Sequence, residues 1–224
     1  MTAGFRIRTH WDRLDRSIVD DFARLPVSVV SDVMSRLVAG GAALRPMHRG
    51  GVLAGSALTV KTRPGDNLML HKAIEMAEPG DVIVVDAGGD VTNSLMGELM
   101  LTHAIKREVA GFVLNGAIRD AAAFLERDLP VYALGVTHRG PYREGPGEIG
   151  LPINIGGMTV ESGDLILGDL DGVVSVRRAD LEAVLAGARK KHTAEQLQMR
   201  QTEDATVDKS WIDKALAQKG CVYL

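Results

Sequence analysis

The chain has 224 residues, 46% of them hydrophobic and 25% charged, with a formal net charge of −3. That is enough for a sizeable core, and it gives no electrostatic case for a nucleic-acid surface. The single cysteine, Cys221, excludes an intrachain disulfide and a cysteine-rich metal site and suits a reducing compartment. The opening stretch MTAGFRIRTHWDRLDR lacks the apolar core of a signal peptide, and no run of about eighteen apolar residues occurs. The expectation is a cytoplasmic protein without a membrane span.

Residues 11–25 place Leu14, Ile18, Phe22 and Leu25 on one helical stripe, which Pro26 closes. Residues 27–38 read as a second helix ended by Gly40-Gly41. A strand over 53–61 leads to Gly65-Asp66-Asn67, a turn and cap for a helix over 68–78. Residues 82–87 (VIVVDA) read as a buried strand by their β-branched run, ended by Gly88-Gly89. A helix over 95–109, a strand over 111–114, a short helix over 120–127 and a strand over 131–134 follow. This alternation predicts parallel pairing with right-handed crossovers. Residues 137–152 are rich in Gly and Pro and read as a long loop. Residues 153–176 hold short strands between turns at Gly156-Gly157, Ser162-Gly163-Asp164 and Asp171-Gly172, which is antiparallel grammar. From residue 178 the chain is helical and charged, with too few apolar residues for a core of its own. The fold class is therefore α/β with a mixed sheet, in a single domain over 1–224. Its tail packs either on its own domain or on a neighbouring subunit.

In such sheets ligands bind beyond the carboxyl ends of the strands. Two glycine-containing loops stand there: Asp86-Ala87-Gly88-Gly89-Asp90, and Asn115-Gly116-Ala117-Ile118-Arg119-Asp120. Each leads toward a helix start, whose free N–H groups and positive dipole end suit a carboxylate or phosphate. Neither matches a nucleotide-binding glycine pattern. Arg119-Asp120 is the pair of chemical interest. Arginine grips a carboxylate with two parallel hydrogen bonds, and aspartate is a hard oxygen ligand for Mg²⁺ or Mn²⁺. By themselves the two residues read sooner as a helix cap and a surface ion pair. Glu98, near the start of its helix, reads by itself as a solvated first-turn glutamate.

Taken in order, Gly80-Asp81-Val82-Ile83-Val84-Val85-Asp86, Gly97-Glu98-Leu99 and Gly116-Ala117-Ile118-Arg119-Asp120 resemble the RraA-like family. Its members include 4-hydroxy-4-methyl-2-oxoglutarate and 4-carboxy-4-hydroxy-2-oxoadipate aldolases and regulators of ribonuclease E. Val30-Ser31-Asp32, Gly55-Ser56-Ala57-Leu58-Thr59, Leu129-Pro130-Val131-Tyr132-Ala133, Gly163-Asp164-Leu165-Ile166 and Asp171-Gly172-Val173-Val174 extend the likeness over roughly residues 20–190. The family's aldolases carry an acidic residue, twenty intervening residues and then Arg-Asp. Here Glu98 and Arg119 are separated by residues 99 to 118, with Glu where the pattern usually has Asp.

The resemblance implies a swivelling α/β/β fold assembled as homotrimers or homohexamers with sites at subunit interfaces. It implies that Asp120 binds Mg²⁺ or Mn²⁺ directly and that Glu98 reaches the metal through a water. Arg119 would contact the 2-oxo oxygen of a pyruvoyl group, and the backbone N–H groups of Gly97, Glu98, Leu99 and Met100 its carboxylate. Glu195, with Glu203 second, would reach the site of a neighbouring subunit. The implied activity is metal-dependent cleavage of a 4-hydroxy-2-oxo acid to pyruvate and a second carbonyl compound, with oxaloacetate decarboxylation on the side. Competing readings are a Schiff-base aldolase on Lys61, otherwise an edge charge, and a methyltransferase, a label some members of the family carry, whose cofactor-binding glycine loop VVDAGGD echoes without the rest of the pattern. A third is a non-enzymatic regulator that binds an RNA-processing partner. His48, His71, His103 and His138 read as surface or core residues, and none is assigned to a metal; His138 sits where it could touch the far end of a substrate.

Overall fold

The computed structural model describes residues 3–224. Its central sheet is mixed. Strands β1 (Phe5–Ile7), β2 (Arg45–Pro46), β3 (Leu53–Thr62), β4 (Asp81–Asp86), β6 (Gly111–Ile118), β7 (Val131–Val136) and β8 (Gly147–Ile149) run in the order β1-β8-β3-β4-β6-β7-β2. The run β3-β4-β6-β7 is parallel, as the strand–helix alternation requires. A short strand, β5 (Ser94–Met96), joins β6 in parallel. The strands β11 (Leu165–Asp169) and β12 (Gly172–Val176) form an antiparallel pair that adds to β3. The hairpin of β9 (Ile153–Ile155) and β10 (Met158–Val160) is a separate sheet.

β4 shows why the sheet is buried on both faces. Its residues alternate with period two. Ile83 and Val85 pack under α3 (Leu68–Met76), α4 (Glu98–Lys106) and α5 (Ala121–Arg127), with Leu70, Ile74, Leu101 and Phe124. Val82 and Val84 face the other way, against Ile153, Ile155, Met158 and Val160 of the hairpin. Each fully buried aliphatic side chain contributes on the order of 1.5–3 kcal/mol. A third cluster joins α1 (Arg16–Phe22), α2 (Val27–Val33) and the start of α6 (Leu181–Glu203) to β11 and β12 through Phe22, Val30, Leu167, Val174 and Leu185. Beyond Ala188 no residue of α6 is buried, nor is any of α7 (Ser210–Gln218). The far half of α6 therefore projects roughly 20 Å from the core at the usual rise per residue.

The differences from the sequence reading have local causes. The expected helix over 11–25 is helical only at Arg16–Phe22. Residues 11–13 are held out of the helix instead: Trp11 packs on the core, Arg178 donates to the carbonyls of Asp12 and Arg13, and Arg13 forks onto Asp81. The helix expected to 38 stops at Val33, because Ser35 and Arg36 turn left-handed. The helix expected over 95–109 is a strand, Ser94–Met96, followed by α4. The strand expected over 111–114 continues to Ile118 because β5 and β7 flank its second half. Residues 137–152 contain β8, which bridges β1 and β3. Lys61 is no edge charge: its strand pairs on both sides, and its ammonium binds Asp86. Among the described residues no helix is long and apolar enough to cross a membrane.

Candidate active site

β5 and β6 end side by side, and their carboxyl ends define the site. The Arg119 amide donates to the Met96 carbonyl at 2.9 Å, which clips the turn after β6 to the turn after β5. Gly97 follows Met96 and gives way at once to α4, so the start of that helix faces Arg119-Asp120. A Cβ built on Gly97 would stand 2.5 Å from Asp120 Oδ2 and 3.0 Å from Arg119 Cγ and Nε. Only glycine allows this approach.

Asp120 does not cap the helix that follows it. It is left-handed, at φ 55° and ψ 41°, and makes no side-chain cap bond to α5. Such a conformation costs a non-glycine residue on the order of 1–3 kcal/mol and persists where the surroundings fix it. Here the carboxylate reaches across to the other helix: its Oδ2 accepts from the Glu98 amide at 3.0 Å and lies 3.6 Å from Arg119 Nε. The dipole of α4 favours a carboxylate at that place. Arg119 and Asp120 keep 38% and 46% of their side-chain surface, so both remain open to a ligand.

The Glu98 amide, expected to be one of the donors for a substrate carboxylate, is therefore already used by Asp120. The amides of Leu99 and Met100 have no backbone acceptor among the described residues and remain available. The Glu98 side chain is half exposed and accepts from Arg127 Nη2 of α5 at 3.3 Å, a partner the sequence pattern did not announce. Glu195 lies on α6. It pairs with Lys191 at 2.8 Å, and Lys191 binds Asp32 of α2 at 3.1 Å. Among the described residues no ion pair or hydrogen bond joins Glu195 to the Arg119-Asp120 crevice of its own chain. Glu203 is exposed at the end of α6.

A crevice of about 70 Å³ opens between these elements, lined by Asn67, His71, Gly97, Met100, Arg119 and Arg143, among others. Clefts of about 410 Å³ beside α1 and about 510 Å³ beside α2 and α6 are larger. The small crevice is nevertheless the candidate, because it brings a guanidinium, free helix amides and a nearby carboxylate together at strand ends. Its outer wall is the segment 139–145. The buried carboxylate of Asp66 pins that segment, with Oδ2 accepting from the amides of Glu144 and Gly145 at 2.7 and 2.9 Å and Oδ1 from Leu68 at 3.0 Å. Tyr142 and Gly65 share a backbone bond of 2.8 Å, and Ser94 donates to the Arg139 carbonyl at 2.9 Å. The sequence reading took Asn67 as part of a turn and left His71 without a role. One signal was present: the two are four residues apart and so share a helix face. Asn67 donates through Nδ2 to the Leu95 carbonyl at 3.0 Å and to Met100 Sδ at 3.3 Å. In the other glycine loop, 86–90, Asp86 Oδ1 is taken up locally, accepting from the Gly88 amide and from Asn115.

The residues at the crevice fit a hard divalent cation. One Asp120 oxygen is fixed by the Glu98 amide and the other is unbound among the described residues. No three His, Cys, Asp or Glu side chains gather among the described residues. The donor set thus suits a small ion that keeps most of its waters, as Mg²⁺ does.

Residues 27–175 match the RraA-like family model described as Aldolase/RraA. The chain belongs to the RraA-like family. A relative from Halalkalibacterium halodurans named "Putative 4-hydroxy-4-methyl-2-oxoglutarate aldolase" is 37% identical over 186 residues, 83% of this chain and 89% of its own. Among solved structures, an uncharacterised protein from Pseudomonas syringae pv. tomato superposes with a TM-score of 0.79 at 21% identity, over 88% of this chain and 97% of its own. The RNA-processing inhibitor RraA from Thermus thermophilis gives a TM-score of 0.63 at 28% identity, over 67% of this chain and 92% of its own. The mixed sheet with its added antiparallel pair is thus the RraA-like fold.

Proposed function

We propose that the protein is a divalent-metal-dependent carbon–carbon lyase. It would cleave a 4-hydroxy-2-oxo acid to pyruvate and a second carbonyl compound, and release CO₂ from oxaloacetate as a side activity. The observation that carries this reading is the convergence of Arg119, Asp120 and the free first-turn amides of α4 at adjoining strand ends. The aldolase name of the 37% identical relative supports it.

In this reading the Leu99 and Met100 amides take the carboxylate of the 2-oxo acid, and the Arg119 guanidinium faces the 2-oxo oxygen. When the C3–C4 bond breaks, its electron pair moves into the enolate of pyruvate, and negative charge gathers on that oxygen. Arg119 would stabilise it, and fixed donors of this kind are worth far more at a developing charge than in water. Asp120 would hold Mg²⁺ or Mn²⁺ directly and Glu98 through a water, and the bound ion would add Lewis-acid stabilisation to the same oxygen. The 4-hydroxyl proton leaves as C4 becomes a carbonyl. Glu98, which pairs with Arg127, would take it through an intervening water, and protonation of the enolate at C3 would complete pyruvate. Loss of CO₂ from oxaloacetate produces the same enolate, so one charge-stabilising device serves both reactions. The projecting half of α6 supports a homo-oligomer, trimer or hexamer, in which Glu195 reaches the crevice of a neighbouring subunit.

The test is pyruvate release from oxaloacetate in three samples: protein with Mg²⁺, protein with EDTA, and the Asp120→Ala variant with Mg²⁺. Turnover in the first alone is the expected result; three traces equal to the buffer blank sink the lyase reading. A second reading, a non-enzymatic regulator that binds an RNA-processing partner, is favoured by the 28% identical Thermus structure. It predicts that blank result together with capture of such a partner.

A further inference from the structure

His71 lines the crevice with Asn67, Arg119 and Arg143. Its Nε2 is shielded from solvent and has no hydrogen-bond partner among the described residues. A shielded ring nitrogen left unpaired costs the folded chain roughly 1–3 kcal/mol, so its persistence calls for a partner. His48 also has an unpaired Nε2, but its Nδ1 is tied to the backbone at Val131 and it packs edge-on against Tyr132 in the core. His71 instead stands on the wall of a cleft lined also by Arg119, Arg143 and the start of a helix, all of which attract anions, and by Asn67, whose Oδ1 is likewise shielded and without a partner among the described residues. It sits one helical turn beyond Asn67, on the face of α3 that meets Met100 of α4.

We infer that His71 is a substrate-binding residue: its Nε2–H donates to the carboxylate of the 2-oxo acid, beside the Leu99 and Met100 amides. The inference rests on the lyase reading of the crevice, and it adds a side-chain donor to a subsite otherwise made of backbone. The charge state agrees. Burial, then Arg143 of the outer wall and His103 of α4, hold the imidazole below its ordinary range, opposed by Glu75 of α3. His71 is therefore neutral near pH 7, a hydrogen-bond donor and not a second cation that would need its own counter-ion.

The experiment uses the full-length chain with Mg²⁺ and two probes, pyruvate for binding and oxaloacetate for turnover. The expected result is that His71→Leu raises the Kd for pyruvate and the KM for oxaloacetate about tenfold, with kcat changed less than about twofold. His71→Gln, which keeps an N–H near the position of Nε2, should recover most of the affinity. The His71 Nε2 resonance should move when pyruvate saturates the wild-type protein, a readout that needs no variant to fold. Equal pyruvate affinity in wild type and His71→Leu, a loss confined to kcat, an unmoved Nε2 resonance, or no pyruvate binding by the wild type would each overturn the inference. Failure of the lyase reading looks different: pyruvate binds in a His71-dependent way while oxaloacetate is not turned over.

Discussion

Gly97 and Asp120 form a single device at the residue scale. The missing Cβ of one makes room for the carboxylate of the other, which spends one oxygen on the Glu98 amide and keeps the second free. Adding a methyl group there acts on the site without touching the core. Gly97→Ala must push the Asp120 carboxylate away from a position 2.5 Å from the new Cβ. We expect Mn²⁺ affinity, read by the free-ion signal in magnetic resonance, to fall at least tenfold. The melting temperature should stay within about 4 °C of wild type, about 1 kcal/mol for a chain of this size. Unchanged Mn²⁺ binding would show that Asp120 is not the ligand. The sequence displayed both residues but not their meeting: Arg119-Asp120 could be read as a cap plus an ion pair, and only the left-handed backbone of Asp120 shows that the carboxylate serves the other helix.

At the scale of elements, the crevice depends on a segment with almost no regular structure. Residues 139–145 are positioned by backbone bonds to Gly65, Asn67 and Ser94 and above all by the fully buried carboxylate of Asp66. Asp66→Ala strands the amides of Leu68, Glu144 and Gly145 together. The expected cost is roughly 3 kcal/mol, a fall in melting temperature of roughly 6–12 °C. The KM for oxaloacetate should rise as Arg143 loses its place; a variant that melts like wild type would remove Asp66 as the anchor. The parallel core was legible in the sequence because its strands and helices carry their own periods, as in VIVVDA. The clip of β1 and β8 onto the sheet was not, since three-residue strands such as Phe5–Ile7 carry too little pattern to register. The non-helical run at 11–13 was missed for a related reason: a helical stripe was present, but the Arg13–Asp81 fork and the Arg178 bonds outweigh local propensity.

For the whole molecule, the attachment of the long C-terminal helix carries a pH dependence of predictable sign. Asp32 of α2 is held below the ordinary carboxylate range by its hydrogen bond from Lys191, and Lys191 is raised above the ordinary lysine range by Glu195 and then Asp32. A carboxylate lowered on folding stabilises the fold above its unfolded pKa and loses that contribution as pH falls through the folded value. A lysine raised on folding stabilises below its unfolded pKa and loses the contribution as pH rises through the folded value. The α2–α6 clamp is therefore complete through the neutral range and opens at both extremes. Hydrogen exchange should show α6 amides beyond Ala188 losing protection relative to the β4 and β6 amides near pH 3, and less so at pH 7. Parallel loss across the whole chain would argue against a local clamp. The pairing is exposed, so salt should weaken it in the same way.

The pinned outer wall has a consequence for how such a protein can change its chemistry. Its backbone is fixed at both ends by groups that ignore side-chain identity, while His138, Arg139, Arg143 and Glu144 are left with free side chains facing outward or into the crevice. Descendants of this chain can therefore exchange those side chains and inherit the same scaffold, so that new acids are tried one substitution at a time without reopening the question of folding. On the lyase reading, a combinatorial library confined to His138, Arg139 and Glu144 would explore recognition of the departing half of the substrate and leave Arg143, beside His71, as it is.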